Sequence, residues 1–162
     1  MKGLSLFFLL WLLAGNGHAR SVVSLPAAGS LTPDCVMEAA LEHNVPLAAL
    51  MGILAAEGGK VGEAKQNSNG SFDLGPFQVN TCNLNELVAH GFAPEAILRD
   101  GCINARAAAR LLRREYERTG NIWSAIGAYH SRTPKYRDAY IARIRKHLAR
   151  MENGHWPHGI RP

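Results

Sequence analysis

Residues 68–80, SNGSFDLGPFQVN, lie in the only region of this 162-residue chain that has a β-forming pattern. Asn69-Gly70 predicts a tight primed turn, because both residue types tolerate positive φ. Asp73 stands in the arm that follows, where a plain strand favours β-branched or aromatic residues. Pro76 lacks the N–H that a central strand donates. The stretch therefore predicts a small hairpin that carries a carboxylate.

Helical patterns flank this hairpin on both sides. Thr32-Pro33 predicts the start of a helix that runs to about His43, and Pro46 opens a second helix that Gly58-Gly59 ends. Capping residues and apolar periodicity predict further helices that begin at about residue 80, at Pro94, at Asp100, at Asn121 and at Thr133-Pro134. We therefore expect a mainly helical (α+β) fold with one small β-hairpin and a cleft between the two.

The first nineteen residues have the pattern of a secretory signal peptide. Lys2 supplies a positive charge, residues 4–14 are an apolar run, and residues 17–19 form a small-residue cleavage site. The run is too short to predict a stable membrane insertion, so we expect cleavage after Ala19 and export. The remaining chain divides into a lead-in at residues 20–31, one domain at residues 32–151 and a frayed tail at residues 152–162.

The charge balance is mildly basic. The chain has 18 Lys and Arg against 13 Asp and Glu, a net of +5, and cleavage after Ala19 would remove only Lys2. This excess suits an anionic polymer such as a cell wall and gives no support for nucleic-acid binding. Six basic residues fall on the last predicted helix, where we interpret them as a solvated face.

Glu57 is the candidate partner of the hairpin carboxylate. It ends the second predicted helix and continues the apolar stripe of Leu50 and Leu54. Apolar walls disfavour the charged form, so we expect a raised pKa and a usable general acid. A helix-end Glu followed by a hairpin Asp suits glycoside cleavage, in which one group protonates the leaving oxygen and the other supports the oxocarbenium-like centre.

These residues resemble two related families. AAEGG at residues 55–59 and NGSFDLGPFQVN at residues 69–80 are similar to the active-site stretch of c-type lysozymes, where a helical Glu precedes DGSTDYGILQIN. More closely, residues 35–140 resemble the small periplasmic lytic transglycosylases that accompany type III and type IV secretion, conjugation and pilus systems. The resemblance implies a lysozyme-like fold, with Glu57 as the single catalytic acid and Gln78, in the position of the GLMQ box, as a substrate-binding residue.

A second box of the same family falls at residues 123–130, WSAIGAYH, which is similar to W-x-A-x-x-A-Y-N. The resemblance implies that Tyr129, His130 and Tyr140 line the substrate cleft. Three departures accompany it: Gly58 replaces the usual Ser after the Glu, GLMQ is GPFQ, and AYNAG is AYHSR. These departures affect the glycan and stem-peptide subsites and leave the acid in place.

Three cysteines remain in the expected exported chain, which predicts one disulfide and one thiol left over. Cys35 and Cys102 match positions where secretion-associated members of the family carry Cys, whereas Cys82 does not. The resemblance therefore implies a Cys35–Cys102 disulfide, and we expect Cys82 to be a buried thiol.

The activity implied by the resemblance is cleavage of the β-1,4 bond between N-acetylmuramic acid (MurNAc) and N-acetylglucosamine (GlcNAc) in peptidoglycan strands, without metal or cofactor. The product would end in 1,6-anhydroMurNAc, and the place of action would be the periplasm, during assembly of a secretion, conjugation or pilus machine. Asp73 is expected to bind and assist, not to act as a nucleophile. The alternatives are a lysozyme-type muramidase that uses water and a glycan-binding component that does not cleave.

Overall fold

The computed structural model describes residues 29–157 and residue 160. Its helices are α1 (Pro33–Glu42), α2 (Leu47–Glu57), α3 (Leu84–Ala89), α4 (Pro94–Arg99), α5 (Gly101–Thr119), α6 (Ile122–His130) and α7 (Pro134–Glu152). The strands are β1 (Ala64–Gln66), β2 (Phe72–Leu74) and β3 (Val79–Asn80), and a 3₁₀ turn at Thr81–Asn83 precedes α3. The predicted fold class is confirmed. The expected signal peptide and residues 20–28 of the lead-in lie outside the described residues.

The helices begin where polar side chains can cap them. The Thr32 hydroxyl accepts a hydrogen bond from a backbone N–H three residues on at 3.3 Å, and the Asn121 side chain does the same at 3.0 Å. Asp100 accepts two backbone N–H groups of α5, at 2.9 and 3.0 Å. Each cap satisfies donors that the first turn of a helix leaves free, which is why these starts were predictable from local sequence.

The hydrophobic core lies between α2, α5, α6 and α7. α5 packs against α1, α4 and α6, while α7 packs against α2 and α6. The largest fully buried side chains include Tyr140, Phe77, Leu50, Ile53, Leu87, Ile97, Leu112, Ile126 and Ile144. Within the described ranges, no helix has both the length and the apolar character needed to cross a membrane.

The β region is larger than the predicted hairpin, and its first turn differs from the predicted one. β1, β2 and β3 form an antiparallel sheet in that order. β1 pairs Gln66 with Phe72, so five residues connect the first two strands. Gly70 has positive φ but Asn69 does not, and the Gly70 N–H donates to the Asn67 carbonyl at 3.0 Å. The two-residue primed turn was therefore wrong, because this longer loop closes with one left-handed glycine.

Cys35 and Cys102 form a disulfide between α1 and the start of α5, with their Cα atoms 4.9 Å apart. This is the pairing that the family resemblance implied. Cys82 is a free thiol, but it is exposed, so the expectation of a buried thiol was wrong. Its place in the 3₁₀ turn after β3 puts it on the surface, away from the helix packing that would have covered it.

Two apolar side chains of the expected tail, Trp156 and Ile160, lie against the domain. Ile160 is 3% exposed and belongs to the hydrophobic core, and Trp156 packs against that core. Both side chains border an apolar groove together with Leu47 of α2 and Met151 of α7. Burial of these two apolar side chains favours their position against the domain.

Candidate active site

Glu57 lies at the end of α2, where the helix meets the sheet. Leu54 and Leu50, one and two turns earlier on the same face, are 5% and 0% exposed, so the helix places the carboxyl group against an apolar wall. Burial raises the pKa of Glu57, and the hydrogen bond from Tyr140 opposes that rise. Desolvation penalises the charged carboxylate, so this group holds its proton at a higher pH than an exposed Glu.

Tyr140 lies 83 residues after Glu57 in the sequence and forms a direct hydrogen bond with it. Its hydroxyl donates to Glu57 Oε1 at 2.6 Å, and its side chain is 2% exposed. Burial, followed by the charge of Glu57, raises the pKa of Tyr140 far above its usual value, so the phenol stays protonated. Tyr140 therefore acts as a permanent donor that holds the carboxyl group in one orientation.

His130 and Arg143 lie against the Tyr140 ring. The His130 ring stacks on it with centroids 4.5 Å apart and an interplanar angle of 3°. The Arg143 guanidinium carbon lies 4.9 Å from the ring centroid, and its positive charge lowers the pKa of Glu57. Burial, followed by the charge of Arg143, lowers the pKa of His130, which keeps this imidazole neutral near pH 7.

Asp73 is held on the central strand of the sheet. Its Oδ1 accepts a hydrogen bond from the Asn80 side-chain amide at 2.7 Å, and it is in register with Lys65 on one side and Asn80 on the other. The negative charge of Asp73 raises the pKa of Glu57, whereas the positive charge of Lys65 lowers it. The Asp73 carboxylate is therefore close enough to Glu57 for its charge to act on it.

Gly59 allows the end of α2 to approach the turn between β2 and β3. Its N–H donates to the Pro76 carbonyl at 3.3 Å, and an added Cβ would lie 2.2 Å from the Gly75 oxygen. Gln78 has positive φ, and its amide nitrogen donates to the same Gly75 oxygen at 2.9 Å. The side-chain amide of Gln78, which is predicted to contact the substrate, therefore also stabilises the turn that contains Gln78.

Tyr129 is partly buried beside the same turn. Its hydroxyl donates to the Phe77 carbonyl at 2.9 Å. Burial, followed by the charges of Glu57 and Asp73, raises the pKa of Tyr129 well above its usual value. Tyr129 is close enough to both carboxyl groups for their charges to act on it, and its hydroxyl bonds to the backbone of the turn between β2 and β3.

Asn104 is a structural part of the site that the sequence interpretation missed. It is fully buried on α5, where its side-chain amide donates to the carbonyls of Leu74 and Ile97, each at 2.9 Å. Its oxygen accepts the Phe77 N–H at 2.9 Å. The signal in the sequence was a single amide on the apolar stripe of α5, which is the kind of buried polar group that must find partners.

The site contains no evident metal centre in the described part of the chain, where no group of three His, Cys, Asp or Glu side chains could hold an ion. The chemistry available to it is proton transfer by Glu57, with Tyr140 and Asp73 shaping its charge.

Comparison with known proteins identifies the family to which the chain belongs. The family model described as Transglycosylase SLT domain matches residues 34–143, a span that runs from α1 into α7 and includes every side chain of the site. The chain is 31% identical over 131 residues to Invasion protein IagB of Salmonella typhimurium strain SL1344, covering 80% of this chain and 79% of the relative. Invasion protein IagB of Salmonella typhi matches with the same identity and coverage. The chain therefore belongs to the SLT-domain family and is a lytic transglycosylase.

Proposed function

We propose that the protein cleaves the β-1,4 bond between MurNAc and GlcNAc in peptidoglycan and leaves a 1,6-anhydroMurNAc end. The observation that carries this proposal is the half-buried Glu57 at the end of α2, whose pKa is raised by desolvation and whose carboxyl group accepts a hydrogen bond from Tyr140. A carboxyl group that keeps its proton near neutral pH can donate it to a glycosidic oxygen.

The proposed reaction uses Glu57 twice. The protonated carboxyl gives its proton to the glycosidic oxygen as the C1–O bond of MurNAc breaks. The resulting carboxylate then takes the proton of the C6 hydroxyl of the same sugar, and the C6 oxygen forms a bond to C1. Glu57 donates one proton and takes one back, so no water is consumed. The Tyr140 hydroxyl stabilises the carboxylate between the two steps.

Asp73, Gln78, Tyr129 and His130 are proposed to form the walls of the substrate cleft around Glu57. Asp73, whose Oδ1 accepts a hydrogen bond from Asn80, would favour positive charge at C1 without attacking it. Gln78 and Tyr129 would shape the turn that faces the glycan, because both bind backbone carbonyls of that turn. His130 would present an exposed ring edge next to Tyr140.

A lysozyme-type muramidase is the second candidate, and the interaction between Asp73 and Glu57 is the observation that favours it. In retaining glycosidases the second carboxylate is the nucleophile or charge stabiliser. The two reactions differ in their products, because hydrolysis adds one water to the new end.

We also propose where the enzyme acts. Residues 1–19 would be a signal peptide cleaved after Ala19, residues 20–31 a lead-in, and residues 32–151 the catalytic domain in the periplasm. The relatives are named invasion proteins, and the resemblance to secretion-associated transglycosylases supports a role in local wall remodelling. Components of a secretion, conjugation or pilus machine would then be its partners.

The decisive experiment is digestion of purified sacculi followed by mass spectrometry of the released muropeptides. Wild type should release anhydroMurNAc ends, and Glu57→Gln should lose about 10²–10⁴-fold in rate, the usual contribution of a general acid. Asp73→Asn should lose far less and keep the anhydro products. Near-normal activity of Glu57→Gln would refute the assignment.

Three other results would each overturn part of the proposal. Reducing ends, together with loss of activity in Asp73→Asn, would identify a muramidase. Binding of sacculi without any release would identify a glycan-binding component. A chain that keeps residues 1–19 in the cell, detected by N-terminal sequencing, would refute export with cleavage after Ala19.

A further inference from the structure

Among the charged side chains in the part of the chain that the structure describes, only Glu115 is buried, with 1% of its surface exposed. It lies on α5, outside the catalytic site. Its Oε1 accepts a hydrogen bond from Arg132 at 2.7 Å, and its Oε2 accepts one from Arg118 at 2.8 Å. A third guanidinium, that of Arg114, also contacts it. A buried carboxylate needs such partners, since it would otherwise be costly to bury.

Arg118 and Arg132 differ in what they connect. Arg118 is three residues from Glu115 on the same helix, so its ion pair stays within α5. Arg132 belongs to the three-residue segment 131–133 between α6 and α7, so its bond joins that segment to α5. Arg132 also stands where the resemblance places a Gly in the AYNAG box, so the side chain that makes this bond is one of the departures noted in the sequence.

The 131–133 segment sits between two side chains of the site. His130 immediately precedes it, and Tyr140 lies two turns into the helix that follows it. The two rings stack on each other, and Tyr140 donates to Glu57. A shift of this segment would move both rings relative to the end of α2.

We propose that Arg132 is a positioning residue, which anchors the 131–133 segment to Glu115 and thereby holds His130 and Tyr140 in register with Glu57. Arg132 does not touch the substrate in this proposal. It acts through the backbone that carries the two rings, and Glu115 supplies a rigid attachment point because it is buried in α5.

The test compares Arg132→Gln with Arg118→Gln. Each variant removes one cation and one hydrogen bond from Glu115, so a merely structural role would give the same result for both. The largest charge effects on the Glu57 carboxyl come from Arg143, Asp73 and Lys65, and neither Arg118 nor Arg132 is among them. A change at Glu57 in either variant would therefore arise from geometry.

The first readout is the pKa of Glu57, measured by carboxyl ¹³C NMR on the purified protein. The Tyr140 hydrogen bond lowers this pKa, so a misplaced Tyr140 in Arg132→Gln should let it rise, whereas Arg118→Gln should leave it unchanged. The second readout is kcat on sacculi, which should fall about 10-fold or more in Arg132→Gln only, since small misplacements at a reacting group are costly. Arg132→Lys should bring both the pKa of Glu57 and kcat part of the way back to their wild-type values.

Equal effects in the two Gln variants, or a lower melting temperature in Arg132→Gln with no change at Glu57, would overturn the proposal. Glu115→Gln should reproduce Arg132→Gln, and the double variant should be no worse than either single one. The kcat readout rests on the proposed role of Glu57, but the NMR readout does not. An active Glu57→Gln variant would thus refute the proposed function and leave the positioning role measurable.

Discussion

Replacing Tyr140 by Phe should raise the pKa of Glu57 and move the alkaline limb of the activity profile to higher pH. The substitution keeps the buried ring and removes only the hydroxyl that donates to Glu57 Oε1 at 2.6 Å. That hydrogen bond favours the ionised carboxyl group and thus lowers its pKa. Without it, burial acts with less opposition, and the carboxyl group keeps its proton to a higher pH.

The size of the shift follows from the kind of bond that is lost. A hydrogen bond to a charged group contributes about 1.5–3 kcal/mol. Each pKa unit corresponds to about 1.4 kcal/mol, so the pKa of Glu57 should rise by roughly 1–2 units. The first chemical step needs the protonated acid. Activity in the wild type is therefore lost as pH rises through the Glu57 pKa, and in Tyr140→Phe it should be lost at a pH higher by the same amount.

The assay is kcat/KM on sacculi or soluble glycan strands as a function of pH, with Tyr129→Phe as the matched control. Tyr129 has a similarly buried hydroxyl, but it donates to the Phe77 carbonyl, not to Glu57. The control should therefore leave the alkaline limb close to its wild-type position. An unmoved or lowered limb in Tyr140→Phe, or an equal shift in Tyr129→Phe, would refute this account of the acid.

Three further predictions concern stability and packing. Replacing both Cys35 and Cys102 by Ser should cost about 4 kcal/mol of unfolding free energy, because the disulfide closes a 67-residue separation; urea denaturation measures the loss, and a change under 1 kcal/mol would contradict it. Gly59→Ala should abolish most activity on sacculi, because the new Cβ would meet the Gly75 oxygen at 2.2 Å; an active variant would show that the turn can move. Glu57→Gln should gain stability over wild type as pH rises above about 4, because the raised folded-state pKa of Glu57 makes its ionisation destabilising; a melting-temperature difference that does not grow with pH would contradict this.

The sequence by itself determined the helical framework and pointed to Glu57 as the candidate acid. The starts of α1, α5 and α6 follow from Thr32, Asp100 and Asn121, whose side chains act on backbone groups two or three residues away. Glu57 was recognisable because it continues an apolar helical stripe and precedes two glycines. These features depend only on residues that are close in sequence, so a pattern of a few residues is enough to predict them.

The same local logic failed where the outcome depends on distant partners. Cys82 was expected to be buried and is exposed, and the burial of Ile160 was not predicted, since each depends on which surfaces the helices leave open. The predicted two-residue turn at Asn69-Gly70 was also wrong, because the pairing between β1 and β2 sets the length of the loop.

Tertiary structure alone decided how the acid is held. Tyr140 reaches Glu57 across 83 residues, Asn104 binds the turn before Gln78 from another helix, and Arg132 finds Glu115 on α5. Polar side chains on helices look alike in sequence whether they face water or a partner. What distinguishes them is burial: once a polar group is removed from water, leaving it unpaired costs about 1–3 kcal/mol, so the packed fold selects the partner that the sequence does not name.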